Sequence, residues 1–161
     1  MKIGIIIIFH NNAFSIDSKL HKEFLDLKNV THLCLVNNAS TDKTLEKLQQ
    51  LNDASEHVYT IIDIKQNKGN EAAIKAGVRY LFNQKDLNYI GFINFEEGKT
   101  LRYLFEFLRT FEKPSNLIKQ YNLEQVKNNK KQRTLFKNIV SVVDYLNQKH
   151  IGVSEEIKRI S

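Results

Sequence analysis

Residues 2–9 read Lys-Ile-Gly-Ile-Ile-Ile-Ile-Phe, an apolar run with no polar residue between Ile3 and Phe9. β-branched side chains favour the pleated conformation. A strand with no polar alternation has no face to give to water, so it belongs in the middle of a sheet covered on both sides, and in practice a parallel one. Seven residues are too few to span a bilayer. The run stops at His10-Asn11-Asn12 with no small-residue cleavage site, so a secretory leader is not expected.

The rest of the chain supplies what such a strand requires. Ile16, Leu20, Phe24 and Leu27 have helical spacing, with Asp17 near the start, and predict a helix over about residues 15–27. Thr31 to Val36 reads as a second strand, cut off by Asn37-Asn38. After it, Leu45, Leu48 and Leu51 mark an amphipathic helix that Ser40 or Thr41 is placed to cap, with Asp42 suited to the positive end of its dipole. Val58 to Ile64 is a third strand. Asn70 can cap the helix that follows, in which Ala73, Ala76, Gly77 and Tyr80 share a face; Gly69 implies a turn with positive φ or a close backbone approach. Tyr89 to Phe95 is a fourth strand. Thr100 opens a helix with Leu101, Leu104, Phe105, Leu108 and Phe111 on one side, which Pro114 stops. Asn116 to Tyr121 suggests a fifth strand. From Leu123 a helical pattern follows, with a basic cluster (Lys127, Lys130, Lys131, Arg133) and an apolar stripe (Leu135, Phe136, Ile139, Val140, Val143, Leu146) running to Gly152. Strand and helix alternate at least four times, which predicts an α/β fold with a parallel sheet and helices on both faces.

With 161 residues, a single domain over 1–161 is expected. One cysteine, Cys34, leaves no internal disulfide and no metal-binding cysteine pair; a buried thiol suits a reducing cytoplasm. Twenty-four Lys and Arg against 18 Asp and Glu give a net charge of +6. That excess suits a phosphorylated small molecule, an anionic membrane face or simple solubility. Nucleic acid is disfavoured because the basic cluster lacks interleaved aromatic residues.

Several ligand classes are excluded by motif. The position of a dinucleotide glycine fingerprint is taken by His10-Asn11-Asn12-Ala13, and no Gly-Lys-Ser/Thr occurs. The first strand ends without the acidic residues of a phospho-receiver. What remains at the strand ends is asparagine: Asn11, Asn12, Asn37, Asn38, Asn67, Asn70 and Asn94. An amide offers a donor and an acceptor together.

Three stretches resemble the family 2 glycosyltransferases, in the family's order, over roughly Met1 to Glu96. Lys2 to Asn12 is similar to the opening strand that ends Pro-x-Tyr-Asn. Val36-Asn37-Asn38-Ala39-Ser40-Thr41-Asp42-Lys43-Thr44 resembles the Asp-Asn/Asp-Ala/Gly-Ser-x-Asp-x-Thr element. Gln66 to Gly77 resembles the Asn-x-Gly…Ala…Gly helix start. The resemblance implies a GT-A-like (Rossmann-like) fold, with residues 1–97 as a nucleotide-sugar-binding half and 98–161 as a reduced acceptor half. It implies sugar transfer from a nucleoside-diphosphate sugar, UDP-linked, to an acceptor hydroxyl; a non-catalytic nucleotide-sugar-binding module is the alternative. It places Phe9, His10, Asn11, Asn12, Asn37, Asn38 and Ser40 at the base and ribose, and Asn67, Lys68, Gly69 and Asn70 near the diphosphate or base edge. Where the family has Asp-x-Asp this chain has Asn94-Phe95-Glu96, so Asn94 and Glu96 are the expected ligands of Mg²⁺ or Mn²⁺. No catalytic base is identified. A cytoplasmic protein peripheral to the membrane is expected, with a lipid-linked or membrane-surface acceptor near Lys127 to Leu146, and that same stretch is the candidate for homo-oligomer contacts.

Overall fold

The computed structural model describes residues 2–27, 30–55, 59–83, 87–112 and 139–148. In chain order the elements are β1 (Ile3–Phe9), a 3-10 turn (Ala13–Ser15), α1 (Ser18–Leu25), β2 (Val30–Asn38), α2 (Thr44–Ala54), β3 (Thr60–Ile64), α3 (Asn70–Asn83), β4 (Tyr89–Asn94), α4 (Thr100–Glu112) and β5 (Ile139–Ser141). A short helix over 142–148 follows. The strands form one sheet in the order β3-β2-β1-β4-β5, with every pair parallel.

β1 is central, and all seven of its residues are buried. Its side chains alternate between two layers. Ile6 and Ile8 pack with Cys34, Val36, Ala73, Val78 and Leu81 under α3. Ile3, Ile5, Ile7 and Phe9 pack on the other face, beneath α1, α2 and α4, with Leu20, Phe24, Leu48, Leu104 and Phe107. Each buried isoleucine contributes about 1.5–3 kcal/mol of transfer free energy, so β1 is the largest single apolar investment in the sheet. Burial also pushes the Cys34 thiol up to about 12, which removes it as a nucleophile at neutral pH. Among the described residues no helix is long and apolar enough to cross a membrane.

Several local expectations are corrected. α1 starts three residues late because Asp17 caps it, its carboxylate accepting from Leu20 N at 2.8 Å. Neither Ser40 nor Thr41 caps α2; Lys43 holds the cap position and makes no side-chain bond there. Tyr80 is 37% exposed, and α3 instead turns Ala73, Gly77, Val78 and Leu81 inward. In α4, Phe107 is buried and Phe105 half-exposed, because helical twist carries Phe107, with Leu104 and Leu108, onto the sheet.

The largest difference concerns Ile139 and Val140, expected in a helix. They form β5 on the open edge of β4, and Val140 and Val142 are fully buried. Their β-branched side chains fit a strand as well as a helix face, and the edge of β4 supplies the hydrogen bonds that settle it. Val143 and Leu146 fall on the short helix over 142–148, with Leu146 in the core. The expected strand at Asn116 to Tyr121, the basic cluster and Leu135–Phe136 lie outside the described residues.

Gly77 is where α3 meets β1. A Cβ there would come within 2.9 Å of two Ile6 side-chain atoms. Gly77→Val should therefore destabilise the fold by about 1–3 kcal/mol through overpacking. A urea midpoint unchanged from the parent would show that α3 does not press on Ile6 in this way.

Candidate functional site

The carboxyl ends of parallel strands collect loops on one rim of the sheet, where open α/β folds hold ligands. Here the rim carries a cleft of about 370 Å³ lined by Ile8, His10, Asn12, Asn38, Asn67, Gly69, Asn70, Asn94 and Phe95. Its walls come from the ends of β1, β2 and β4 and from the loop that opens α3. Register explains the convergence: Ile8 sits beside Asn94 and Phe9 beside Asn37, so the three strands stop at nearly one level.

The loop after β1 is laced to the loop after β2. Asn11 N donates to Ser40 Oγ at 3.0 Å, Asn12 N to Thr44 Oγ1 at 2.7 Å, and Ala13 N to Asp42 Oδ2 at 3.0 Å. In return Thr41 N donates to Asn11 Oδ1 at 2.8 Å. Three consecutive amides that a helix or strand would have satisfied are met by side chains of one polar turn. Asn11 and Ala39 adopt positive φ, 55° and 52°, to make the crossing. Burial works against the charge of Asp42, but the Thr44 hydroxyl and the Ala13 and Thr44 amides outweigh it and hold the carboxyl below its ordinary range.

Within the cleft, His10 Nδ1 lies 2.7 Å from the Asn38 carbonyl oxygen. A carbonyl only accepts, so Nδ1 carries the proton, leaving Nε2 facing the Asn11 amide nitrogen at 3.4 Å. Asn38 is 6% exposed, and its Oδ1 is buried without a hydrogen-bond partner. An orphaned buried carbonyl costs about 1–3 kcal/mol. In the loop that opens α3, Asn67 Oδ1 accepts from Gly69 N at 2.9 Å, and Gly69 has φ of 85° with nothing within 4 Å of where a Cβ would sit. The turn itself, not crowding, calls for glycine there. Lys68 is exposed on the same loop.

Some expected site residues stand elsewhere. Phe9 is fully buried and stacked on Phe95 with ring centroids 4.5 Å apart, so its side chain props the cleft wall from behind. Asn37 and Asn38 are neighbours in a strand and point to opposite faces of the sheet. Asn37 faces away from the cleft and donates to Asp63 Oδ1 at 2.8 Å, and its own Oδ1 is likewise without a partner. Burial raises the Asp63 pKa, but the Lys65 ammonium and the Asn37 amide prevail and lower it. Asn11 and Ser40 are used in the lacing and do not line the cleft. Phe95 and Ile8 do line it and were not singled out by sequence; Phe95 lay in view inside Asn94-Phe95-Glu96.

The two expected metal ligands offer one amide oxygen and one carboxylate. Asn94 lines the cleft with a neutral amide. The single carboxylate, Glu96, is ion-paired with Lys99. Among the described residues no three His, Cys, Asp or Glu side chains are grouped to hold a metal. The neighbouring Glu97 accepts from the Ser15 hydroxyl at 2.7 Å.

The Asp42 geometry has a measurable consequence. A carboxyl with a lowered folded pKa stabilises the fold above its unfolded value, near 3.8, and that contribution is lost as pH falls through the lower folded value. Asp42→Asn should be less stable than the parent at pH 7, and its disadvantage should shrink below about pH 4. A stability gap that stays constant across that window would exclude the proposed role of the ionised carboxylate.

A sequence profile described as "Glycosyl transferase family 2" matches residues 4–95, more than half of the chain. No curated protein sequence matches significantly. Among solved structures, the mannosyltransferase PcManGT from Pyrobaculum calidifontis, in complex with GDP-Man and Mn²⁺, is 19% identical with a TM-score of 0.42. That match covers 48% of this chain and 24% of that one. TarS 1-349 of S. aureus is 16% identical with a TM-score of 0.44, covering 68% of this chain and 33% of that one. The same protein in complex with UDP gives 18% and 0.41, covering 68% and 32%. This chain thus spans a quarter to a third of the length of these proteins. With the profile covering β1 through the end of β4, the chain belongs to glycosyl transferase family 2.

Proposed function

We propose that the cleft binds the nucleotide of a nucleoside-diphosphate sugar, UDP-linked, and that the protein acts in transfer of that sugar to an acceptor hydroxyl. Residues 1–97 serve as the donor side on this reading, and residues 98–161 contribute to the acceptor side. The observation that carries it is the orphaned Oδ1 of Asn38 in the cleft wall. A buried acceptor without a donor is a standing cost, and a ligand N–H or O–H removes it. A uracil ring has one such N–H between two carbonyls, and a ribose has hydroxyls.

The other lining groups support the same ligand class. Asn12, Asn67, Asn70 and Asn94 surround the cleft with amides that both donate and accept. The volume of the cleft falls within the range of small-molecule sites. The chain's residues bind and orient the donor, and Asn94 and Glu96 would supply the protein's oxygen ligands to a divalent cation that neutralises the diphosphate. A cytoplasmic location beside a membrane, with a lipid-linked acceptor, fits the net charge of +6. The described part of the C-terminal stretch is committed to the sheet and core, so any membrane or subunit contact there falls to other residues.

Asn38→Leu separates a binding role from a structural one. Replacing an unsatisfied amide by an apolar side chain of similar size is near neutral or stabilising for the fold. The variant should keep or raise the thermal midpoint while UDP affinity in titration calorimetry falls at least tenfold, about 1.4 kcal/mol. Undiminished UDP affinity in the variant, or no UDP binding by the parent protein, would overturn the proposal.

A further inference from the structure

We infer that the cleft selects a pyrimidine base over a purine, and that Asn12, Asn38 and Asn67 make the selection. This rests on the nucleotide-sugar reading above and deepens it, because family membership does not name the base. The carboxamides that line the cleft are not interchangeable. Asn12 Oδ1 accepts from His10 N at 2.7 Å, and Asn67 Oδ1 accepts from Gly69 N at 2.9 Å. A backbone N–H only donates, so the atom it meets is the carboxamide oxygen, and the orientation of both side chains is fixed. What Asn12 and Asn67 have left for a ligand is an NH₂ group, a donor. Asn38 is the converse: it is buried, and its Oδ1 is an acceptor that no protein donor reaches. All three line the one cleft. His10 lines it too but leaves the count unchanged, since Nδ1 is given to the Asn38 carbonyl and Nε2 faces the Asn11 amide. No such tie fixes the amides of Asn70 and Asn94 among the described residues, so either atom of those can turn to a ligand.

The fixed groups therefore call for two acceptors and one donor on the ligand. Uracil carries these on a single rigid edge, two carbonyl oxygens with an N–H between them. Cytosine carries the same number in another order, so the choice lies between pyrimidine and purine. The pairing edge of guanine has one acceptor and two donors, and its major-groove edge has the acceptors O6 and N7 and no donor. Adenine has one acceptor and one donor on either of those edges. Each of these purine edges leaves at least one of the three protein groups unpaired. A site built on hydrogen bonds discriminates mainly through the groups that a wrong ligand leaves unpaired.

Asn12→Asp and Asn67→Asp isolate this role from a structural one. Each keeps the oxygen that holds its loop and exchanges only the NH₂ for a second oxygen, a donor for an acceptor. The new carboxylate also repels a diphosphate, but it does so alike for UDP and GDP, so the ratio of the two affinities is the readout. Calorimetric titration of the full chain with UDP and with GDP, in Mn²⁺, measures that ratio for the parent and both variants. The parent should bind UDP roughly tenfold or more tighter than GDP. Each variant should lose most of that preference while keeping the parent's cooperative thermal unfolding, because guanine has the donors that the new acceptors call for. The two residues lie on different loops, so a folding defect in one variant leaves the other to decide. A parent that binds GDP as tightly as UDP, or a preference that folded variants retain in full, would overturn the inference and leave the nucleotide-sugar reading standing. No binding of either nucleotide by the parent would overturn both.

Discussion

Two-sided burial of β1 is the constraint from which the remaining architecture follows. A strand with isoleucine on both faces is stable only between two helical layers and between two neighbouring strands. β2 and β4 provide the neighbours, in parallel register, and α3 closes one face while α1, α2 and α4 close the other. Because side chains alternate, a one-residue slip would move Ile6 and Ile8 into the wrong layer, and Gly77 leaves room for Ile6 alone. The same register fixes function. Asn38 and Asn94 reach the cleft because the strands that carry them are locked to Ile8 and Phe9.

Above the sheet a second layer of polar contacts takes over. Asn11, Asn12 and Ala13 offer consecutive amides, and Ser40, Asp42 and Thr44 accept them. This lacing holds two loops at the mouth of the cleft in fixed positions, including the positive φ of Asn11 and Ala39, which is unfavourable in an unconstrained chain. Strain of this kind persists where surrounding bonds over-determine it. The cleft is accordingly preorganised on the β1–β2 side. On the β4 side it is lined by Asn94 and Phe95, and beyond them Glu96 and Lys99 are ion-paired across the Gly98 turn.

Much of this was legible in the residues. The strands β1 to β4, the helices between them and the gathering of asparagine at the strand ends follow from apolar period and turn chemistry. Where the reading failed, two local patterns were both permitted. Ile139 and Val140 suit a strand or a helix face, and only an open β4 edge decides between them. Phe9 at a strand end resembles a ligand-facing aromatic until Phe95 is seen stacked on it. Asn37 and Asn38 look equivalent as a pair, yet strand geometry sends one to Asp63 and the other to the cleft. Ser40 and Thr41 had the composition of a cap, but Ser40 Oγ accepts from the Asn11 amide while Thr41 donates its N–H and hydroxyl to Asn11 Oδ1.

The amino-acid sequence alone determined the parallel α/β class and the membership carried by residues 4–95, because apolar period and motif order are local properties of the chain. Tertiary structure decided which polar groups are spent on the fold and which are left over for a ligand. That division depends on what lies across a gap in space. The Asn38 Oδ1 is orphaned because no donor reaches it, and the Glu96 carboxylate is taken because the turn at Gly98 brings Lys99 onto it.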